Sequence, residues 1–162
     1  MRKRPRVIVA TMILVLALAT AAMAADPFVG TWKLNLAKSK FSPGPAPTDV
    51  TILKIKAQSN GFKWTFETVG ADGKAAPGSV PGEWSGKYDG KDYLLKGNEN
   101  ADTVASRKID ANTLDCMLKK GGIAVGSGRV IVSKDGKTLT LTEKDKNAQG
   151  QNVNNTEVYD RQ

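Results

Sequence analysis

The stretch 60–67, NGFKWTFE, decides the fold class of this chain. Its first two residues, Asn60-Gly61, are typical of a two-residue hairpin turn, because both tolerate the positive φ angles that such a turn requires. The aromatic residues at positions 62, 64 and 66 then alternate with polar residues at 63, 65 and 67. This two-residue period predicts a strand with one apolar face and one face toward water.

The same arrangement of short alternating segments and turn dipeptides continues along the chain from residue 25 onward. Further turn dipeptides of this kind are Asp72-Gly73, Asp89-Gly90, Gly121-Gly122 and Asp135-Gly136. They delimit about ten candidate strands, at 28–35, 49–57, 62–69, 82–88, 92–96, 103–109, 113–119, 123–133, 137–144 and 152–161. The sequence therefore predicts an all-β, antiparallel up-and-down meander of about eight to ten strands, closed into a barrel so that no edge stays exposed.

Three local features complicate this pattern. Apolar residues change parity between Val50 and Ile55, and Val104 and Ile109 also disagree, which predicts a β-bulge or a strongly coiled strand at each place. Gly126 and Gly128 share one face of a strand and would let it bend. The proline-containing segments 37–47 and 75–82 predict irregular connections, either plain loops or a cover for a cavity.

The first residues have the organisation of a secretory signal. Four basic residues within positions 2–6 precede an apolar run, and the small residues Ala22 and Ala24 then match a signal-peptidase site. We expect residues 1–24 to be a cleaved signal peptide and residues 25–162 to form one domain, periplasmic or secreted, without a stable membrane anchor. That domain has a formal charge of +4, because four of the 24 basic residues lie in the signal.

Composition narrows the chemistry that the chain can perform. It contains no histidine and a single cysteine, Cys116, so catalytic centres that need histidine and zinc sites of the usual Cys/His kind are excluded. Cys116 shares an apolar strand face with Leu114 and Leu118 and is expected to be a core residue. The lysines are dispersed, which argues against a nucleic-acid surface. We expect a protein that is not an enzyme and needs no cofactor or metal.

The two ends of the domain resemble the lipocalin and fatty-acid-binding protein superfamily. The first strand, FVGTWKL at 28–34, has its Gly-x-Trp motif, and TEVYDR at 156–161 is similar to its closing strand. The chain also resembles lipocalin-like exported bacterial proteins of unassigned function. The resemblance implies that Trp32 plugs one end of the barrel and that Arg161 packs across it. Where many fatty-acid-binding proteins have Arg-x-Tyr, this chain has Glu157 and Tyr159.

The interior of such a barrel is the expected ligand site. Aromatic side chains on two neighbouring strands would form an apolar wall. An arginine within an apolar strand, Arg107 or Arg129, would supply a charged group if its register turned it inward, whereas the opposite register would place it on the surface, which is the default for an arginine. The candidate ligand-binding residues are Trp64, Phe66, Trp84, Tyr88, Arg129 and Tyr159. The expected partner is a small apolar or amphipathic molecule rather than nucleic acid.

A second interpretation stays open at this point. A small barrel filled by its own side chains has no room for a ligand and would act through its surface, as a protein or envelope interaction module. That interpretation predicts apolar residues gathered on one outer patch. The oligomeric state is open under both interpretations.

Overall fold

A computed structural model describes residues 26–146 and 150–162. The expected signal peptide, residues 1–24, lies outside the described residues. Within them, the chain forms ten strands and one short 3₁₀ helix at Leu36–Lys38. The strands are β1 (Gly30–Leu34), β2 (Val50–Gln58), β3 (Gly61–Val69), β4 (Gly82–Gly86), β5 (Asp89–Lys96), β6 (Thr103–Asp110), β7 (Thr113–Lys120), β8 (Ile123–Val132), β9 (Thr138–Lys146) and β10 (Asn152–Arg161).

These strands form a closed antiparallel barrel in which each strand pairs with its neighbours in sequence and β1 closes the ring against β10. The prediction of an all-β up-and-down meander is confirmed. A tight turn at an expected dipeptide joins β7 to β8, where Gly121 and Gly122 both have positive φ, at 56° and 80°. The dipeptide Asp89-Gly90 was also expected to be a turn, but it lies within β5. No helix among the described residues is long and apolar enough to cross a membrane.

The barrel is irregular at positions that differ partly from those expected. Strand β2 pairs with β3 without a register shift from Val50 to Gln58, so the expected bulge between residues 50 and 55 is wrong. The apolar pattern of β2 changes parity because Ile52, which is apolar, lies on the outer face and is only partly buried. The register shifts in β6–β7 between Lys108 and Asp110, as the disagreement of Val104 and Ile109 predicted, and it also shifts in β5–β6 and β7–β8.

One end of the barrel is packed shut around Trp32. This side chain is fully buried, and its Nε1 donates a hydrogen bond to the Phe28 carbonyl at 2.9 Å. The Arg161 guanidinium lies 4.0 Å from the Trp32 ring and donates to the carbonyls of Val29 and Pro27 at 2.8 and 2.7 Å. Gly30 makes room for this contact, because a Cβ there would lie 2.4 Å from the arginine. We call this the closed end.

The proline-rich connection after β1, residues 37–47, does not cover the end of the barrel that lies opposite the closed end. It runs beside β10, where Lys40 and Thr156 exchange two backbone hydrogen bonds of 2.8 Å and Ser42 accepts one from Asn154. Because β1 has only five residues, this segment satisfies the part of β10 that β1 does not reach. The second irregular segment, 75–82, lies at the opposite end, which we call the open end.

Candidate functional site

The barrel contains a cavity of about 350 Å³ between the closed end and the open end. Its rim includes Val80 and Asn98, both exposed, so the cavity communicates with solvent there. The volume lies within the range of about 300–1,000 Å³ that is usual for small-molecule sites. The barrel interior is therefore not completely filled by side chains.

Small inward-facing residues create this space. The register of β8 with β9 turns Gly126 and Gly128 toward the interior, together with Val130 and Val132. A Cβ at Gly128 would lie 3.3 Å from the Leu141 side chain. Of the two glycines, Gly128 lines the cavity, whereas Asp145 fills the space beside Gly126, where an added Cβ would lie 2.8 Å from the Asp145 Cβ.

One side of the cavity is formed by Trp64, Phe66 and Trp84, which we call the aromatic wall. Trp64 and Trp84 are register partners on β3 and β4, and their rings stack with centroids 5.6 Å apart at an angle of 22°. Phe66 extends the wall with its ring centroid 6.3 Å from that of Trp64. The three residues were expected to share a ligand-facing surface, and the structure places all three along the cavity.

Tyr88 has a different position from the one expected. It is not among the residues that line the cavity; its ring stacks on Phe62 at 4.2 Å and its hydroxyl accepts a hydrogen bond of 3.0 Å from Trp64 Nε1. Burial raises the pKa of this phenol well above its usual range. Tyr88 therefore supports the aromatic wall from behind and orients Trp64.

Arg129 is not a charged group inside the barrel, which corrects a prediction from the sequence. Its neighbours Gly128 and Val130 face inward, so Arg129 points outward and its side chain is 57% exposed. There it donates two hydrogen bonds to Asp115, at 2.6 and 2.9 Å. The guanidinium lowers the pKa of the Asp115 carboxyl. The register, and not the apolar surroundings in sequence, decides its direction.

Tyr159 lines the cavity, on the opposite side from the aromatic wall. Its side chain is 3% exposed, and its hydroxyl donates a short hydrogen bond to Glu157, which also faces the cavity. Burial raises the pKa of both groups, and the charge of Glu157 raises that of Tyr159 further. The closing strand thus presents an acid and a phenol to the interior.

Two further carboxylates were missed by sequence reasoning. Glu143 and Asp145 continue the inward-facing row that begins with Leu139 and Leu141 on β9, and both line the cavity. The alternation of β9, followed beyond its apolar residues, places them on the inward face of the strand but does not show that this face borders a cavity. Glu143, Asp145 and Glu157 together form what we call the acidic wall.

The acidic wall holds its carboxyl groups in an unfavourable environment for charge. Burial, and then the nearby charges of Glu157 and Asp145, raise the pKa of Glu143 to about 7, against the smaller effect of a hydrogen bond from Asn155. Burial also raises the pKa of Asp145, whose Oδ1 is shielded from solvent and has no hydrogen-bond partner among the described residues. A group that supplied positive charge or N–H donors here would relieve both costs.

Cys116 lies on the same inward face as Leu114 and Leu118 and lines the cavity. Its thiol is within hydrogen-bond distance of the Ser106 hydroxyl, at 3.3 Å. Burial raises the pKa of this thiol, which keeps it in the less reactive protonated form.

The fold and the cavity define the class of protein: a closed ten-stranded antiparallel up-and-down β-barrel with an internal cavity. This architecture is consistent with a lipocalin-like fold. Comparison with known proteins finds no matching family and no matching curated protein. The resemblance to the lipocalin and fatty-acid-binding protein superfamily thus rests, beyond the fold, on the Gly-x-Trp motif and the closing strand alone.

Proposed function

We propose that this protein is an exported, lipocalin-like binding protein that holds a small apolar or amphipathic molecule inside its barrel. The observation that carries the proposal is the cavity of about 350 Å³ with stacked indole rings along one side. Aromatic surface facing an interior space contributes binding energy by burying apolar ligand area, about 25 cal/mol per Å². Export rests on the sequence of residues 1–24, and with it a periplasmic or extracellular location.

The outer surface gives less support to the alternative of an interaction module. Exposed apolar side chains occur on the barrel, and polar side chains lie beside some of them. Met117 lies between Ala105 and Ser127 in the strand register, and the Arg129–Asp115 ion pair stands between Met117 and Ile131. A docking patch would need such residues to be contiguous.

The proposal is tested with N-phenyl-1-naphthylamine, a neutral probe whose fluorescence rises in apolar surroundings. We expect the protein to bind it and Gly128→Leu to bind it at least about ten-fold more weakly, because a leucine there reduces the cavity. Ala124→Leu adds the same side chain at an exposed position of the same strand and should leave the affinity unchanged. No binding by the native protein, or equal binding by Gly128→Leu, would contradict the proposal.

A further inference from the structure

The two long sides of the cavity differ in chemistry. The aromatic wall belongs to β3 and β4, whereas the acidic wall belongs to β9 and β10. Strands β1 and β2 separate the walls in one direction and β5–β8 in the other, so they face each other across the barrel. A ligand that fills the cavity therefore contacts both.

The interior has negative charge that the protein itself does not balance. Among the described residues that line the cavity, Lys96 is the single cation. It lies at the rim, its side chain is 64% exposed, and it is shared with Glu83 on the barrel's outer side at 3.4 Å. The acidic wall thus differs from the outer carboxylates of this barrel, such as Asp115 and Asp160, which pair with Arg129 and Lys38.

An independent observation concerns hydrogen bonding rather than charge. The Oδ1 atom of Asp145 is buried and lacks a donor within the described part of the chain. Buried acceptors are almost always satisfied, by protein, water or ligand. The Asp145 side chain lines the cavity, and a donor group of a bound molecule reaches this oxygen only if the side chain turns, because the atom itself has almost no accessible surface.

We propose that the molecule held in this barrel is an organic cation, a protonated amine on an apolar body. Its ammonium group lies against Glu143, the middle residue of the acidic wall, and its apolar part lies on the aromatic wall. The inference rests on the proposed binding function and specifies the chemical class of its ligand. It also opposes the fatty-acid chemistry of the resembled superfamily, because a carboxylate ligand would meet the acidic wall.

Each half of the cavity suits its half of such a ligand. Ammonium groups form short, charge-assisted hydrogen bonds with carboxylates, and indole faces attract cations as well as apolar chains. A metal ion fits less well, because no group of three or more acidic or cysteine side chains in residues 26–146 and 150–162 is arranged to hold one. The geometry thus favours an amine with an apolar body.

The arrangement also makes binding depend on pH. The ionisable groups facing Glu143 are Asp145 on its own strand, Glu157 and Tyr159 on β10, and Cys116 on β7, while β8 presents glycines there and Lys96 lies at the rim. With its pKa near 7, Glu143 is largely protonated at about pH 6 and ionised at about pH 8. Affinity for an amine should therefore be about ten-fold weaker at the lower pH.

Isothermal titration calorimetry with three probes of equal chain length separates the possibilities: octylamine, octanol and octanoate. At about pH 8 we expect octylamine to bind at least about ten-fold more tightly than either other probe. In the double variant Glu143→Gln/Glu157→Gln, octylamine should lose that advantage while octanol binds as before, which also shows that the variant is folded. Glu99→Gln, the same change on an exposed loop, is the matched control.

The outcomes distinguish the inference from the function on which it rests. Octanol or octanoate binding as tightly as octylamine would overturn the cation inference and leave the binding function intact. The same holds if octylamine fails to bind to a protein that binds N-phenyl-1-naphthylamine. A protein that binds none of the four probes would overturn the binding function itself.

Discussion

Replacing Glu143 by glutamine should make the protein more stable at alkaline pH and should change little in acid. Glutamine has nearly the same shape and cannot ionise, so the variant removes the cost of a buried charge. The pKa of Glu143 in the folded protein is about 7, raised from a reference value of 4.5. The folded state therefore binds this proton more tightly than the unfolded state does.

The sign and the size of the expected change in stability follow from this difference in pKa between the folded and the unfolded state. Between about pH 4.5 and about pH 7 the unfolded chain releases the proton and the folded chain retains it, so this group's contribution to stability falls as pH rises. At 1.36 kcal/mol per pKa unit, the full shift corresponds to roughly 3 kcal/mol. Part of that cost is shared with Asp145 and Glu157, which interact with Glu143, so roughly 3 kcal/mol is an upper bound.

Urea unfolding followed by tryptophan fluorescence at about pH 4 and about pH 8 measures this effect. The free energy of unfolding of Glu143→Gln should equal that of the native protein at the lower pH and exceed it by roughly 1–3 kcal/mol at the higher pH. Glu99→Gln, an exposed loop change, should show no such difference. A Glu143→Gln effect that is independent of pH, or a loss of stability at about pH 8, would refute the electrostatic reasoning.

Three further substitutions or reactions test other parts of the structure. Arg161→Met should lower the free energy of unfolding in urea by roughly 2–4 kcal/mol, because it removes hydrogen bonds to carbonyls at the closed end and a cation–π contact. The control Arg129→Met, on the surface, should change the free energy of unfolding little. Equal effects of the two substitutions would contradict this prediction. Cys116 should react with a thiol reagent much more slowly in the folded protein than in urea, because burial raises its pKa; equal rates would show an accessible thiolate. Gly86→Ala should lower the melting temperature and cost roughly 1–3 kcal/mol, since its Cβ would lie 2.4 Å from the Tyr93 ring; an unchanged melting temperature would show that the ring has room to move.

The fold could be predicted from the sequence because its signals are local. Alternation along β3 and the glycine-containing dipeptides on either side of β3 and β8 are visible within a few residues. The strand boundaries of 103–109 and 113–119, for example, differ from the observed ones by a single residue. The closed meander then follows, because no other arrangement of consecutive hairpins removes both edges.

The direction of Arg129 could not be predicted because glycine carries no side chain to mark a face. Gly126 and Gly128 interrupt the apolar pattern of β8, so both parities were compatible with its sequence. The pairing with β9 decides between them, through Val130 opposite Leu141. Such pairing is a long-range property that no local stretch contains.

The acidic wall was missed for a different physical reason. A strand that changes from leucines to Glu143 and Asp145 usually indicates a strand leaving the core for solvent. Here the row of inward positions continues beside a cavity, so the same residues remain inside the barrel. Only the closure of the sheet distinguishes an acid in water from an acid in a cavity.

The central claim is that a ligand occupies the interior of the barrel, between the aromatic wall and the acidic wall. A crystal structure of the protein with octylamine tests it most directly. The account predicts density for the alkyl chain against Trp64 and Trp84 and for the amine nitrogen within hydrogen-bond distance of Glu143. Octylamine found only on the outer surface, or a barrel interior filled by side chains, would contradict it.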